Sequence, residues 1–263
     1  MRIETQSVQD VMDTARARAL QATLGSSPNL NSGDSLPPFF HQIYFWDPKP
    51  PEDLGRDGHP KLGGLVPDMG LPRRMWAGGQ LECKRPLILG NLAERRSSIA
   101  KAEHKQGRSG PLAFVKVRHE IWQEGECAVI EHQDLVYRED EGSGSKPVPP
   151  VAQIDETHSE TFSANSTMLF RYSALTFNGH RIHYDETYAK EIEGYTGLVV
   201  HGPLLAQMLM LLAERKLGRL TSFAFRATSP LMHHEDAMLC WREGGTCWVR
   251  GPDGRQCMQA QAL

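Results

Sequence analysis

One segment constrains the fold more than any other, because Gly202–Gly218 predicts a helix that is apolar on nearly every side. Pro203 lies in its first turn and Gly218 just past its end, as is typical of helix boundaries. The middle reads Leu204-Leu-Ala-Gln-Met-Leu-Met-Leu-Leu-Ala213. A helix without a polar face is stable in water only when other elements cover most of its surface. The sequence therefore predicts that a sheet curls around this helix.

Strand-like runs on both sides of the helix supply the sheet. The chain holds 24 glycines and 17 prolines in 263 residues, an excess that favours many turns and hence many strands. Glycine-containing pairs separate the runs, at residues 90–91, 124–125, 244–245 and 253–254. The predicted strands are Leu81–Leu89, Ala93–Lys105, Leu112–Gln123, Glu126–Arg138, Ser222–Ala227, Met238–Glu243, Thr246–Arg250 and Gln256–Ala260. A short strand or loop is predicted at Met168–Tyr172.

The two halves of the chain resemble a weak internal repeat. Residues 81–90 and 223–232 each contain a strand that breaks at Pro-Leu before a hairpin. The first copy lacks an equally apolar helix and offers only a turn-rich segment at Pro67–Gly79. We therefore expect an α+β protein with two antiparallel sheets, of which the first repeat is degenerate. The predicted units are an N-terminal helix (8–20) and linker within 1–38, a first copy at 39–140, a linker at 141–160 and a second copy at 161–263.

Composition excludes several classes of protein. A net charge of −3 from 29 basic and 32 acidic residues disfavours a basic nucleic-acid-binding surface, and 40% apolar residues disfavour a disordered chain. The longest apolar stretch, Leu198–Ala213, is shorter than the ~20 residues of a membrane span. Five cysteines without a Cys-x-x-Cys pair indicate reduced thiols. Acidic residues near the N-terminus argue against a mitochondrial presequence, so we expect a cytoplasmic protein with no nucleic-acid or membrane partner.

Polar groups are concentrated just before the apolar helix. Asn178, His180, His183, Tyr184 and Asp185 fall within eight positions, which is too dense for a core strand. The helix then begins at His201-Gly202-Pro203. A helix N-terminus offers unpaired backbone N–H groups, and glycine lets a ligand approach them closely. This combination predicts proton chemistry on a carbonyl compound whose oxygen gains negative charge.

These segments resemble a known family. Arg171-Tyr-Ser-Ala-Leu-Thr-Phe-Asn-Gly-His-Arg-Ile-His-Tyr-Asp185 and Gly197-Leu-Val-Val-His-Gly-Pro-Leu-Leu205 are similar to the MaoC-like hydratases of the hot-dog fold, and Leu71-Pro-Arg-Arg-Met-Trp-Ala-Gly-Gly79 supports the resemblance. The nearest branch contains mitochondrial-type 3-hydroxyacyl-thioester dehydratases and mesaconyl-CoA or itaconyl-CoA hydratases. The resemblance implies a double hot-dog, in which the second sheet wraps around the apolar helix.

The hydratase motif of that group, Asp-x-Asn-Pro-(Ile/Leu)-His, is only partly kept. Its Asp falls on Asn178, its Asn on His180, its Pro on Arg181 and its His on His183. An amide cannot accept a proton as a base, although it can orient water. The resemblance therefore implies His183 as the main acid/base, Asn178 as an orienting group and His180 as a second base.

The resemblance implies reversible addition of water across the Cα–Cβ double bond of an enoyl-CoA. The Gly202 N–H would bind the thioester carbonyl. A substrate with a second carboxylate, such as itaconyl-CoA or mesaconyl-CoA, needs a cation, for which Arg73, Arg74, Arg171 and Arg181 are candidates. The implied substrate-binding residues are Arg73, Arg74, Trp76, His180, Arg181 and His201. No cofactor is expected, since the CoA thioester is the substrate.

Other functions remain open at this point. The close alternative is a 3-hydroxyacyl-thioester dehydratase of fatty acid metabolism. The hot-dog fold also hosts thioesterases, which need a carboxylate that His201-Gly202-Pro203 does not offer, and the loss of Asp at position 178 would suit a non-catalytic acyl-CoA-binding module. No metal is expected, because His180-x-x-His183 and His233-His234-Glu235 show no convergent ligand spacing. A homodimer is the candidate assembly.

Overall fold

Ten strands form one continuous antiparallel sheet in a computed structural model that describes residues 5–61, 64–107, 110–139 and 148–263. Their spatial order is β1-β3-β4-β5-β2-β7-β10-β9-β8-β6. The strands are β1 (Thr5–Val11), β2 (Arg73–Cys83), β3 (Leu92–Gly107), β4 (Gly110–Gln123), β5 (Glu126–Arg138), β6 (His158–Ser163), β7 (Ser222–Ala227), β8 (Asp236–Arg242), β9 (Thr246–Arg250) and β10 (Gln256–Ala262). The two sheets predicted from the sequence are thus the two halves of this sheet, five strands each.

Four α-helices accompany the sheet in the described residues: α1 (Thr14–Thr23), α2 (Ser166–Thr176), α3 (Glu186–Glu191) and α4 (Gly202–Leu217). Short 3₁₀ turns lie at Phe40–Ile43, Pro51–Asp53 and Arg181–His183. None of the helices in the described part of the chain combines the length and the apolar character needed to cross a membrane.

The second half is a curved sheet around α4, as predicted. Strands β7 to β10 all contact this helix. Its buried residues include Leu204, Leu205, Ala206, Leu209, Met210, Leu212 and Ala213. Each large aliphatic side chain buried in this way contributes about 1.5–3 kcal/mol, so the helix dominates the core of this half.

In the first half, other residues occupy the place that α4 has in the second half. Helix α1 and the aromatic segment of residues 39–45 cover the sheet, and Phe39, Phe40, Ile43, Tyr44 and Phe45 are all buried. Part of the concave face is polar, because neighbouring strands place Ser97, His119 and Glu131 side by side. The first repeat is therefore degenerate as expected, although residues 39–45 rather than Pro67–Gly79 take the place of the missing helix.

Strands β2 and β7 join the two halves. They pair antiparallel, with Leu81 opposite Phe223 and Gly79 opposite Phe225. A Cβ atom on Gly79 would lie 2.7 Å from the His132 carbonyl oxygen and 3.0 Å from the Phe225 ring. Glycine is thus required at this position for close pairing at the junction.

Several predicted elements are wrong at the first-half edge. Residues 5–11 form strand β1, paired with β3, so the helix predicted at 8–20 begins only at Thr14 and the unit 1–38 is not merely a helix and linker. Exposed and partly buried residues alternate along β1, as expected of a strand with one face against the protein. The predicted hairpin of Leu81–Leu89 with Ala93–Lys105 is also wrong, because β2 pairs with β5 and β7 instead.

Two boundaries in the second half differ as well. Met168–Tyr172 belongs to α2, whose N-cap Asn165 accepts a hydrogen bond from the Met168 N–H at 2.9 Å. Strand β6 begins at His158, three residues before the predicted start of the second unit, because it pairs with β8 as the edge strand of the sheet. Of the linker predicted at 141–160, residues 141–147 lie outside the described residues. The hairpin β4–β5 and the strands β7 to β10 agree with prediction.

Candidate active site

His183 is held at the end of the 3₁₀ turn that follows α2. Its Nδ1 lies 2.7 Å from the Val199 carbonyl oxygen. Since a carbonyl only accepts, Nδ1 of the neutral ring carries the proton and Nε2 is left as an acceptor. Burial lowers the pKa of His183 to about 4, although the bond to Val199 opposes this, so the ring is a neutral base at pH 7. Only 6% of the residue is exposed.

The His201 ring packs against the His183 ring. The two imidazole rings stack with centroids 3.6 Å apart and planes at 19°. Nε2 of His201 lies 2.8 Å from Ser173 Oγ, a contact between the start of α4 and the middle of α2. His201 is fully buried, and burial lowers its pKa well below the usual value. His201 is therefore a neutral packing partner of His183. The predicted substrate contact would require His201 to line the cleft, and it is not among the lining residues.

A cleft of about 780 Å³ runs between the two halves. This volume is in the range of small-molecule sites. The second half contributes residues of α2, the following loop and Pro203, while the first half contributes residues 42–60, Trp76 and part of the polar concave face. Trp76 lines this cleft, and its Nε1 donates to the Gly78 carbonyl oxygen at 2.8 Å. Its predicted contact with substrate stays a prediction.

Gly202 is the first residue of α4 and lies beside the cleft. A Cβ atom placed on it would be 3.8 Å from the Trp76 carbonyl oxygen and would meet no closer atom of the described residues. Its neighbour Pro203 lines the cleft. Proline has no N–H, so the predicted bond between the Gly202 N–H and a ligand carbonyl stays a prediction.

The two polar residues that precede His183 have different surroundings. Asn178 lines the cleft, but its Oδ1 accepts a hydrogen bond from the His180 backbone N–H at 3.0 Å. That bond stabilises the turn, and the second lone pair of the amide oxygen can still accept a hydrogen bond. The His180 ring packs edge to face on His183, with centroids 5.4 Å apart, and burial lowers its pKa to about 2.

Sequence reasoning missed a second pair beside these residues, Asp57 and His59. Oδ2 of Asp57 lies 3.0 Å from His59 Nδ1, and the His59 ring lies 4.4 Å from the His180 ring, centroid to centroid. The pair falls in residues 47–72, whose many glycines and prolines indicate a loop but no particular chemistry. Asp57-Gly58-His59, two potential ligands around one glycine, was the signal available.

The loop of residues 55–60 docks directly on the hydratase motif. The Arg181 N–H donates to the Asp57 carbonyl oxygen at 2.9 Å. Gly58, at φ +86°, touches Gly179 so closely that a Cβ atom on Gly58 would lie 2.0 Å from the Gly179 carbonyl oxygen. Two glycines in contact therefore set how near His59 comes to His180.

We expect Gly58→Ala to lower kcat/KM at least tenfold, because the added methyl must push the two loops apart. Gly70→Ala is the matched control: Gly70 also has a positive φ, +69°, but an added Cβ meets no described atom within 4 Å. Both variants carry the backbone cost of about 1–2 kcal/mol at positive φ. Steady-state kinetics and thermal unfolding compare them, and equal activity of the two variants would contradict the docking role.

Two of the predicted substrate-binding arginines are engaged within the protein. Arg73 is buried and forms an ion pair with Glu193. Arg181 forms an ion pair with Asp185 at 2.7 Å and lies over the Tyr188 ring, 4.2 Å from its centroid. These contacts hold the motif loop against its neighbours and engage both side chains within the protein. Their predicted contacts with substrate stay predictions.

The other arginines are placed differently. Arg171 is exposed on α2. Arg74 is partly buried, and its charge contributes, after burial, to the low pKa of His59. Arg95, which sequence reasoning did not select, lines the cleft. It lies on β3 on the same face as Ala93 and Ser97, which are buried.

One cluster in the described residues has a geometry suited to a metal ion. Ligand atoms of Asp57, His59 and His180 all lie within 4.8 Å of one another. His233, His234 and Glu235 are not part of it. The expectation of no metal stays a prediction.

An apolar helix wrapped by an antiparallel sheet, repeated in degenerate form, defines the double hot-dog class. A double hot-dog protein of Mycobacterium tuberculosis superposes with a TM-score of 0.59 at 12% identity, covering 100% of this chain and 95% of that one. A MaoC-like dehydratase of Phytophthora capsici gives a TM-score of 0.71 at 14% identity, over 100% of this chain and 95% of that chain.

Sequence comparison identifies the family. The model of the hydroxyacyl-thioester dehydratase type 2 family matches residues 39–233. A mesaconyl-C(4)-CoA hydratase of Chloroflexus aurantiacus is 41% identical over 262 residues, covering 97% of this chain and 94% of that protein. The chain belongs to the hydroxyacyl-thioester dehydratase type 2 family, and the resemblance inferred from its motifs is confirmed.

Proposed function

We propose that the chain is a hydro-lyase that adds water reversibly across the Cα–Cβ double bond of an enoyl-CoA. The preferred substrate is a dicarboxylic acyl-CoA, itaconyl-CoA or mesaconyl-CoA, which gives citramalyl-CoA. The observation that carries the proposal is the protonation state and position of His183. Its Nδ1–H bonds to the Val199 carbonyl oxygen and its Nε2 is unprotonated. Its ring stacks on His201, the residue before α4. The identity to a mesaconyl-C(4)-CoA hydratase supports the substrate class.

The reaction follows from this arrangement. His183 Nε2 takes a proton from water as the water oxygen bonds to Cβ. The π electrons move toward the thioester, and the oxygen that gains charge is stabilised by the N–H groups at the start of α4. His183 then returns the proton to Cα. His201, neutral and stacked on the ring, keeps the imidazole in place without adding charge.

Loss of enoyl absorbance tests the proposal. Purified protein is incubated with crotonyl-CoA, mesaconyl-CoA and itaconyl-CoA, and free thiol is followed in parallel. We expect hydration without thiol release. Thiol release without hydration would identify a thioesterase, and no reaction of any substrate would identify an acyl-CoA-binding module.

Arg95 supports a substrate with an anionic acyl end. Among the described residues that line the cleft, the cations are Arg95 and Lys49, and Lys49 is paired with Asp47 at 2.9 Å. The Arg95 guanidinium donates from Nη2 to the Phe45 carbonyl oxygen at 3.0 Å, whereas its Nε has no hydrogen-bond partner in the described residues. A buried donor without a partner is costly unless a ligand satisfies it.

We expect Arg95→Met to lower kcat/KM for mesaconyl-CoA about 10- to 100-fold, the loss of one charge-assisted hydrogen bond, and to leave crotonyl-CoA nearly unchanged. Both substrates carry the same CoA, so the comparison isolates the acyl end. An equal loss for both would place Arg95 on the CoA instead. Arg171→Met, on an exposed surface of α2, is the control and is expected to change neither.

A 3-hydroxyacyl-thioester dehydratase is the second candidate, favoured by the family model. The same base and the same helix start would catalyse water removal, so acyl length rather than mechanism separates the two. We further propose a cytoplasmic location, supported by five described cysteines that are all free thiols, and a homodimer, which light scattering tests.

A further inference from the structure

A serine of α2 lies between the hydratase motif and the start of α4. Ser173 lines the cleft, although only 7% of the residue is exposed. Its carbonyl oxygen accepts a hydrogen bond from the Asn178 N–H at 2.9 Å, and its Oγ lies 2.8 Å from His201 Nε2. His201 in turn stacks on His183. The hydroxyl is thus one ring away from the proposed base, and the reaction described above does not use it.

The hydrogen bond between Ser173 and His201 can run in either direction. If the serine donates, Nδ1 of the neutral His201 ring carries the proton, whereas if Nε2–H donates, Nδ1 is a lone pair. Nδ1 is buried and has no hydrogen-bond partner in the described residues. Orphaned buried N–H groups are rarer in proteins than unsatisfied acceptors. The first argument therefore favours an unprotonated Nδ1.

The position of His201 gives a second argument for the same tautomer. His201 is the N-cap residue of α4. Nδ1 is the ring nitrogen nearer to the backbone, so the partial positive charge of the helix start favours a lone pair there over an N–H. His201 Nε2–H therefore donates, and Ser173 Oγ accepts.

This direction leaves the hydroxyl proton of Ser173 available to another acceptor. Within the described chain, the hydrogen bond to His201 is the only one that Ser173 Oγ makes. A serine inside a helix often donates back to the carbonyl four residues earlier, and Ser173 does not. The remaining direction for the O–H bond is the cleft that the residue lines.

A donor at this depth meets the acyl end of a substrate rather than its nucleotide end. An enoyl thioester without further substituents has one strong acceptor there, the thioester oxygen, which gains negative charge as water adds to Cβ. The start of α4 offers this oxygen fewer donors than most helices would, because its second residue is Pro203. A side-chain donor beside that helix start would compensate for the missing N–H.

We propose that Ser173 is a catalytic residue whose hydroxyl donates a hydrogen bond to the thioester oxygen, and that His201 is the positioning residue that keeps this hydroxyl turned to the cleft. This inference rests on the proposed hydration. The serine keeps its proton throughout. Water oxygen bonds to Cβ, His183 carries one water proton to Cα, and the bond from Ser173 is strongest while the thioester oxygen is negative.

The test uses the full-length protein with crotonyl-CoA and mesaconyl-CoA. We expect Ser173→Ala to lower kcat about 10- to 100-fold on both substrates alike, which is the effect of losing one hydrogen bond to a charged oxygen. KM should stay within threefold, because the oxygen carries little charge before the reaction. Ser173→Thr keeps the hydroxyl and should retain at least a third of the wild-type kcat.

Thr176→Val is the matched control. Thr176 is also a hydroxyl residue of α2 that lines the cleft, but its Oγ1 donates to the Tyr172 carbonyl oxygen at 2.7 Å. That donor is occupied within the helix, so its removal should leave kcat on both substrates within twofold of the wild type.

A double-variant cycle separates the donor from a merely structural anchor of His201. His201→Phe keeps a ring beside His183 but removes Nε2. If Ser173 donates to the substrate, adding Ser173→Ala to His201→Phe should lower kcat at least fivefold further. If the serine only anchors His201, the second substitution should have no further effect. Circular dichroism confirms that each variant is folded.

The outcomes are separable. An inactive wild type would overturn the proposed function, whereas an active wild type with a fully active Ser173→Ala would overturn only this inference. A loss on mesaconyl-CoA alone would overturn it too, since the hydroxyl would then bind the second carboxylate. A loss that disappears in the His201→Phe background would identify a structural anchor.

Discussion

Replacing His183 with asparagine is expected to lower kcat for hydration by about 10²- to 10⁴-fold, the usual contribution of a general base. The asparagine amide nitrogen takes the place of Nδ1 and keeps the bond to the Val199 carbonyl oxygen, now 2.7 Å from Nδ1. The variant therefore removes Nε2 without removing the anchor. Substrate binding depends on other groups, so KM should change little.

His234→Asn is the control for this variant. His234 is exposed and lies outside the residues that line the cleft. It should keep wild-type kcat, and circular dichroism of His183→Asn should match that of the wild type. A His183→Asn protein that retained more than a tenth of the wild-type kcat would remove His183 from the role of base.

Acid is expected to destabilise the fold strongly, because three buried histidines are neutral in the native state. Burial lowers the pKa of His183 and of His119 to about 4, and that of His201 well below its usual value. In the unfolded chain each imidazole titrates near pH 6.5. Their stabilising contribution is thus complete above that pH and is lost as pH falls toward 4.

Between pH 7.5 and pH 5 each of these histidines should lower the free energy of unfolding by about 2 kcal/mol. The three together should lower it by about 6 kcal/mol, which is comparable to the total stability of many domains. Urea unfolding at the two pH values measures this loss. His119→Asn can still meet Ser97 Oγ, now 2.7 Å from Nδ1, and should reduce the loss by about 2 kcal/mol. His234→Asn should leave it unchanged. A wild-type loss below 2 kcal/mol would contradict the buried neutral state.

The sequence predicted the second half best, because its pattern is local. An all-apolar helix demands a curved sheet, and the glycine pairs at 244–245 and 253–254 mark its hairpins directly. The N-terminal strand was missed for a physical reason: an edge strand buries one face only partly. The seven residues of Thr5–Val11, whose exposure alternates, can then be interpreted equally well as part of a helix.

The sequence predicted those residues of the candidate site that belong to the motif before α4 and to the start of that helix. His183, Asn178 and Gly202 lie within 25 positions of one another. Asn178 lines the cleft, and the His183 ring stacks on His201, the residue before Gly202. Asp57, His59 and Arg95 come from the other half, and only the folded chain brings them there. Ion pairs such as that of Arg73 with Glu193 could not be predicted either, because a sequence does not show which charged side chains meet in the fold.

The contact between the Arg56 loop and the hydratase motif also bears on folding kinetics. Arg181 Nη1 donates to the Arg56 carbonyl oxygen across 125 positions of chain, at 3.3 Å. Closing so long a loop is slow relative to forming hairpins and helices. During refolding, circular dichroism should therefore recover before enzymatic turnover, and a chain with both sheets formed but not yet joined would be structured and inactive.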